Sequence, residues 1–188
     1  MNIQLSDHFN YKKLFLFTLP SVVMMVFTSV YCVVDGCFVS NFAGKTAFAA
    51  INLIMPFIMI LGGIGFMIGT GGSALVSYTL GTGDKEKANR YFSMMVYFTI
   101  LAGILLTVLG IIFVRPMAEL FGADESMMDT CVLYGRIVIA FNAAYMLQNI
   151  FQSFFVVAEK PRLGLIVTIA AGVTNMVLDA LFVGVFKW

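Results

Sequence analysis

Long uncharged apolar runs alternate with short polar connections along this chain. A helix needs about 20 apolar residues, at about 1.5 Å of rise each, to cross a bilayer. Membrane-spanning β-strands would instead give short segments of alternating polarity, and no such segments are found. We therefore predict an all-α fold, a polytopic transmembrane helix bundle that forms a single transmembrane domain over residues 1–188. Its five spans are expected at about residues 14–44, 47–80, 91–114, 130–158 and 163–186.

The composition supports a membrane protein and narrows its function. Hydrophobic residues make up 61% of the 188 residues and charged residues 11%, whereas soluble domains carry about a quarter charged residues. The net charge of +1 provides no basic field that would attract nucleic acid. One histidine and three scattered cysteines give no metal-ligand spacing. We expect no cofactor and no nucleic-acid partner.

The distribution of lysine and arginine predicts the orientation. Cytoplasmic loops carry an excess of these residues, and seven of them lie on the side of the N-terminus: Lys12, Lys13, Lys85, Lys87, Arg90, Lys160 and Arg162. The opposite side has Lys45, Arg115 and Lys187, with Arg136 ambiguous. We expect a multi-pass protein of the cytoplasmic membrane with its N-terminus in the cytoplasm. Because the sequence stops directly after the fifth span, we also expect an incomplete N-terminal lobe.

Two acidic residues lie inside predicted spans. Ionisable residues within the membrane are costly and are functional candidates by default. Asp35 lies about 31 Å along the first span and Asp179 about 24 Å along the fifth, so both are expected at similar depth in the outer half. Asn175 shares a helix face with Asp179, and Tyr31 shares one with Asp35. The alternative is that each acid only forms hydrogen bonds with a neighbouring helix.

The fourth span carries a polar stripe. It consists of Tyr145, Gln148, Asn149 and Gln152, at spacings i, i+3, i+4 and i+7, which places them on one helix face. The stripe is either the wall of a water-accessible substrate cavity or a set of hydrogen bonds between helices. The sequence leaves both interpretations open.

Proline and small residues mark two further features. Pro20 interrupts the backbone hydrogen bonds of the first span and is a candidate hinge. The second span has a small residue every four positions, at Gly65, Gly69, Ser73, Ser77 and Gly81, which predicts close helix packing. No internal repeat is visible.

Four stretches together resemble the multidrug and toxic compound extrusion (MATE) transporters, in particular the bacterial branch with NorM-like and DinF-like exporters. They are VVDGCFVSNFAGKTAFAAINLIMP, GTGGSALVSYTLGTGDKEKANRYF, QNIFQSFFVVAEKPRLGL and TNMVLDALFVG. The resemblance implies part of a twelve-span antiporter, not an enzyme, that exports cationic or lipophilic drugs or toxins in exchange for protons or sodium. The partners expected from it are membrane lipids, a missing sixth span and a missing C-terminal lobe.

The same resemblance implies an ion-coupling site. The family has an Asp in its first span and an Asn-x-x-x-Asp pair in its fifth, and these positions match Asp35, Asn175 and Asp179. A sodium ion at these three residues would be the only metal expected. Pro20 would then allow the first span to bend when the charge of the site changes.

The residues of the predicted spans argue against three other functions. A lipid-linked oligosaccharide flippase of the same superfamily should carry more basic charge at membrane depth than Arg136 alone. An intramembrane aspartyl protease typically has a Tyr-Asp and a Gly-x-Gly-Asp context, but Val34 precedes Asp35 and Leu178 precedes Asp179. A packing subunit without transport activity would leave two costly buried acids without a role.

Overall fold

A computed structural model of the chain describes residues 10–186, apart from the side chains of Ala43 and Val183. Every regular element in this range is helical, which confirms the all-α class. The α-helices are α1 (Tyr11–Phe38), α2 (Lys45–Gly81), α3 (Lys85–Leu120), α4 (Glu125–Ala140), α5 (Asn142–Val157) and α6 (Pro161–Asp179). A first π-helical segment, Val39–Ala43, follows α1, and a second, Ala180–Val185, follows α6.

Among the described residues, four helices are long and apolar enough to cross a membrane, namely α1, α2, α3 and α6. The fifth candidate span consists of α4 and α5 together, which are bent by 51° at the break between them. The prediction of a multi-span helical membrane protein is therefore confirmed. The apolar pattern of residues 130–158 predicts one uninterrupted span, and nothing in that pattern indicates the bend.

Polar residues outside the apolar runs begin several helices. The side chain of Asn10 accepts a hydrogen bond from the Lys13 N–H of α1, and Asp84 does the same for Lys87 of α3. Asp124 begins α4: the Ser126 hydroxyl and the Met127 N–H donate to its carboxylate and hold the pKa of Asp124 below its usual value. Side-chain oxygens at these positions satisfy N–H groups that have no partner inside the helix.

Residues 46–154 form one compact unit. Its core contains fully buried apolar side chains from α2, α3 and α4, among them Ile54, Val114 and Ile139. The predicted small-residue packing of α2 is observed where it meets α5. A Cβ atom at Gly65 would lie 2.6 Å from the Cα of Met146, and one at Gly69 would lie 3.1 Å from the Cα of Ile150. At Gly81 the surroundings are open, so the small-residue packing does not extend to the end of the helix.

Residues 10–45 and 155–186 belong to a second compact unit, in which α1 packs against α6. Gly172 of α6 lies against the ring of Phe27, at a place where a Cβ atom would come within 2.6 Å of the ring. Leu16 of α1 and Arg162 of α6 line one groove near the beginnings of both helices. The two helices therefore run in the same direction, and the two π-helical segments that follow them contact each other.

Candidate functional site

The two intramembrane acids lie at the ends of α1 and α6. Asp35 lies in the last turn of α1, and Asp179 is the last residue of α6. Because the helices run in the same direction, their C-terminal ends meet. This arrangement brings the two predicted acids together within the unit formed by residues 10–45 and 155–186.

The carboxyl groups of Asp35 and Asp179 lie close enough to act on each other electrostatically. Both residues are half-buried, and Oδ2 of Asp179 is buried without a hydrogen-bond partner among the described residues. Two negative charges in contact repel each other strongly when water is scarce. The arrangement is therefore suited to bind one positive charge, either a proton or a small cation.

The structure places the other two candidate residues of this unit differently. Asn175 lies one turn before Asp179 but is exposed, and its side chain forms no hydrogen bond with a described residue. Tyr31 lies one turn before Asp35 and is half-buried. Tyr31 therefore lies beside Asp35 on α1, and Asn175 lies beside Asp179 on α6. The side chain of Asn175 is exposed.

A short repeat surrounds the two acids and was missed in the sequence. Residues 33–42 read VVDGCFVSNF and residues 177–186 read VLDALFVGVF, so five of the ten positions are identical. In each segment the α-helix changes to a π-helix after the acid. In each, two phenylalanines four residues apart bring their rings together, with centroids 5.9 Å apart for Phe38 and Phe42 and 6.1 Å apart for Phe182 and Phe186. Aligning the sequence on its two intramembrane acids would have found this repeat, which corrects the expectation that none exists.

The polar stripe lies on α5 in the other unit, residues 46–154. Tyr145 is exposed and its ring packs against Gly62, while Gln148 is exposed and Asn149 and Gln152 are half-buried. None of the side chains of Gln148, Asn149 and Gln152 is hydrogen-bonded to another described residue. These three amides form no hydrogen bond between the described helices, and the wall of a water-accessible cavity stays a prediction.

The candidate hinge Pro20 is half-buried in the first half of α1. It lines the apolar groove between α1 and α6 together with Leu19, Val23 and Ile166. The groove beside Pro20 is therefore lined by apolar side chains, with Arg162 as its one charged lining residue among those described.

Sequence reasoning also missed Asn142, at the start of α5. It is only 2% exposed, and its Oδ1 has no hydrogen-bond partner among the described residues. The available signal was an isolated amide in the middle of an apolar run. Asn142 precedes the polar stripe and does not share its helical spacing, so the pattern that identified the stripe did not include Asn142.

No group of three or more His, Cys, Asp or Glu side chains comes together as metal ligands in the described part of the chain. Its three cysteines, Cys32, Cys37 and Cys131, are free thiols. A sodium ion at the pair of carboxyl groups would need further oxygen ligands.

Comparison with known proteins gives a consistent result. The MatE family model matches residues 20–181. The multidrug export protein MepA of Staphylococcus saprophyticus is 22% identical over 173 residues, which are 92% of this chain and 38% of MepA. The probable multidrug resistance protein YoeA of Bacillus subtilis is 28% identical over 128 residues, which are 68% of this chain and 28% of YoeA. The chain thus spans less than two fifths of the length of these relatives.

A solved structure shares the fold. A crystal structure of a MATE protein in the straight conformation superposes with a TM-score of 0.84 at 21% identity, over 91% of this chain and 38% of that protein. At this level of identity the likeness establishes the fold alone.

Proposed function

The chain belongs to the MatE family of membrane transport proteins, and we propose that it forms the first part of an ion-coupled antiporter that exports cationic or lipophilic compounds. The single observation that carries this proposal is the proximity of Asp35 and Asp179 at the ends of the packed helices α1 and α6. Among the described residues these are the acids inside the candidate spans α1 and α6. Since charge at such depth is costly, a role in ion binding explains why two acids are brought together there.

The coupling ion would be a proton or a sodium ion held between the two carboxyl groups. A positive charge at this point removes the repulsion between the acids, and its departure restores it. Asn175 would complete the site, because its amide can both donate and accept and is exposed one turn before Asp179. The exposure of Asn175 leaves it available to an ion, a substrate or a span outside this chain.

Exported compounds would contact the polar stripe of Tyr145, Gln148, Asn149 and Gln152. Tyr31, one turn before Asp35, is a separate candidate for contact with a compound near the acids. The support is that the three amide side chains form no hydrogen bonds with described residues, so their polar groups are available to a ligand. Transporter binding sites are commonly built between structural repeats. A sixth span and a C-terminal lobe would supply the opposite wall, and the surrounding lipids would face the rest of the chain.

Antiport requires that the ion and the compound bind less well together than separately. A compound with a positive charge would compete with the coupling ion for the field of Asp35 and Asp179. Pro20 would let α1 bend as the site changes charge. The N-terminus would lie in the cytoplasm of a cell whose membrane carries the protein.

The flippase alternative is not favoured, since relatives such as MepA are multidrug export proteins and Arg136 is exposed on α4. The residue contexts of Asp35 and Asp179 likewise offer no support for a protease.

Gradient-driven efflux from vesicles tests the proposal with the full-length transporter. Asp35→Asn and Asp179→Asn should each lower efflux of a fluorescent cationic dye to a small residual rate while leaving the protein folded and inserted. Asp129→Asn is the matched control, because Asp129 is an exposed acid on α4, and it should transport normally. Near-normal efflux by both Asp35→Asn and Asp179→Asn would refute the coupling role.

A further inference from the structure

The candidate fourth span is broken near its middle. Helix α4 ends at Ala140, α5 begins at Asn142, and their axes differ by 51°. Between them Phe141 has φ −97° and ψ 8°, and its N–H donates to the carbonyl of Val138 over 3.1 Å. The regular i to i−4 hydrogen-bond pattern is therefore interrupted at Phe141.

Known causes of sharp helix bends are proline, paired glycine and serine residues, π-helical turns, and a side chain or water inserted into the hydrogen-bond ladder. Residues 125–157 contain no proline, and their single glycine, Gly135, lies six residues before Phe141. Neither α4 nor α5 contains a π-helical turn. An inserted side chain or water is the cause that remains.

The side chain at the break is Asn142, which is only 2% exposed. Its Nδ2 donates to the Sδ of Met146 over 3.4 Å, and its Oδ1 accepts no hydrogen bond from the described residues. Turning the amide over would place Oδ1 beside the Met146 sulfur, which has no hydrogen to donate, and would leave the Nδ2 N–H groups without an acceptor among the described residues. The described chain already encloses this amide, so its missing partner must be small enough to fit inside.

Other polar atoms lie at the same break. The hydroxyl of Thr107 on α3 donates to the carbonyl of Ile139 over 3.2 Å, a contact between two different helices. One turn before Thr107, Gly103 brings α3 close to α5, and a Cβ atom there would lie 2.8 Å from the Cα of Ala143. A buried water needs two to four polar partners, and the Asn142 amide, the Ile139 carbonyl and the Thr107 hydroxyl are of the right kinds.

We propose that Asn142 binds an internal water molecule at the break between α4 and α5, and that this hydrated break sets the direction of α5. The polar stripe begins one turn after Asn142, so Asn142 is a positioning residue for the stripe. That last role rests on the proposed function. The water site and the bend do not depend on it.

Radiolytic footprinting of the unsubstituted full-length protein tests the water site. A brief X-ray pulse forms hydroxyl radicals from bound water, and these oxidise neighbouring side chains. Met146 is fully buried but touches the Asn142 amide, and Met24 is a buried methionine on α1. Met146 should be oxidised several-fold faster than Met24, and Asn142→Leu should lower its rate to that of Met24. Equal rates for the two methionines in the unsubstituted protein would overturn the water site.

Distance measurement between spin labels tests the bend. Labels at Asp129 on α4 and Phe151 on α5, both exposed, would move apart by about 3 Å if the two helices became coaxial. Asn142→Leu removes both polar groups and should produce this lengthening, whereas Asn142→Ser, which keeps room and a hydroxyl for water, should keep the original distance. The matched control Asn52→Leu changes an exposed amide of α2 that bonds within its own helix, and it should change nothing.

An unchanged distance in Asn142→Leu would overturn the role of Asn142 in the bend. An equal lengthening in Asn142→Ser would also overturn it, because a small polar residue that leaves room for water should keep the bend. Neither measurement involves transport, so failure here and failure of the antiporter proposal are distinguishable.

Discussion

Asp35 and Asp179 occupy the same position in two matching ten-residue segments, and their carboxyl groups lie close together. Both segments end an α-helix and continue as a π-helix. The two helices run in the same direction, so equivalent residues of the two segments meet. The acid pair is thus built from two copies of one local design, with each copy contributing one carboxyl group.

The π-helical segments that follow Asp35 and Asp179 change the course of both helices directly after the acids. A π-helical turn places one additional residue in the turn and changes the direction of the side chains that follow it. Such turns are rare and are frequently found at functional sites. Their occurrence after both acids sets the region apart from residues 46–154, in which every helix is an α-helix.

The close contact between α2 and α5 gives the first prediction. Gly65→Val should destabilise the protein by about 2 kcal/mol, because its side chain would meet the backbone of Met146, which cannot turn aside. Gly71→Val is the matched control on the same helix, since nothing lies within 4 Å of a Cβ atom there. Thermal unfolding in detergent measures both. Equal melting temperatures would show that the helices are not in close contact at Gly65.

The start of α4 gives a prediction with a pH dependence. Asp124→Ala should lower the melting temperature, because it removes the acceptor of the Met127 N–H. Asp124→Asn keeps a side-chain oxygen at this position and should retain most of the stabilisation. The folded state holds the pKa of Asp124 below its usual value, so the ionised form stabilises the fold above the unfolded pKa of about 3.9. The difference in melting temperature between the unsubstituted protein and Asp124→Ala should persist from pH 8 to pH 5. It should shrink as the pH falls below that range. A difference that grows towards acid pH would contradict this.

The membrane orientation gives a third prediction. Cysteines introduced at Glu86 and Glu125, near opposite ends of α3, should be labelled from the cytoplasmic and the external side respectively. The reason is the excess of lysine and arginine beside Glu86. Impermeant reagents applied to intact cells and to inverted vesicles separate the two sides, on a background without other cysteines. Labelling of both positions from one side would refute the predicted topology.

Much of the fold could be predicted because the bilayer imposes a simple rule on composition. Uninterrupted apolar length predicted the helical class and the approximate spans. Asp35 and Asp179 stood out for the same reason, as charges in apolar runs, and counting residues placed them at similar depth. Their proximity required the structure, since depth alone does not place two helices side by side.

The bend at Phe141 could not be predicted in the same way. No proline marks it, and alanine, phenylalanine and asparagine are all found within helices. At this point Gly103 of α3 packs against Ala143 of α5, and Thr107 of α3 donates to Ile139 of α4. Such tertiary contacts leave no pattern in the sequence. The π-helical segments were missed for a similar reason, because a change from α to π geometry leaves the apolar pattern almost intact.

The candidate hinge gives a fourth prediction. Pro20→Ala restores a backbone hydrogen bond inside α1 and should stiffen it, with a gain in stability of about 1 kcal/mol and a several-fold slower efflux. Pro116→Ala is the matched control, because Pro116 lies within α3, is exposed and has no proposed role. Stopped-flow efflux assays with the full-length transporter measure the rates. Equal slowing by both substitutions would assign the effect to helix stability in general and not to Pro20.

The acid pair gives the last prediction, which concerns the combination of two substitutions. If Asp35 and Asp179 hold one ion between them, either acid alone cannot do so, and removing the second should add almost no further loss. The double variant Asp35→Asn with Asp179→Asn should therefore show the same residual efflux as each single variant, since groups that act as a unit are not additive. Combining either substitution with Gln148→Ala, on α5 in the other unit, should instead multiply the separate losses. Efflux rates from vesicles with an imposed ion gradient measure all combinations. Multiplying losses for the two acids would mean that they act independently, and their contact would then be structural only.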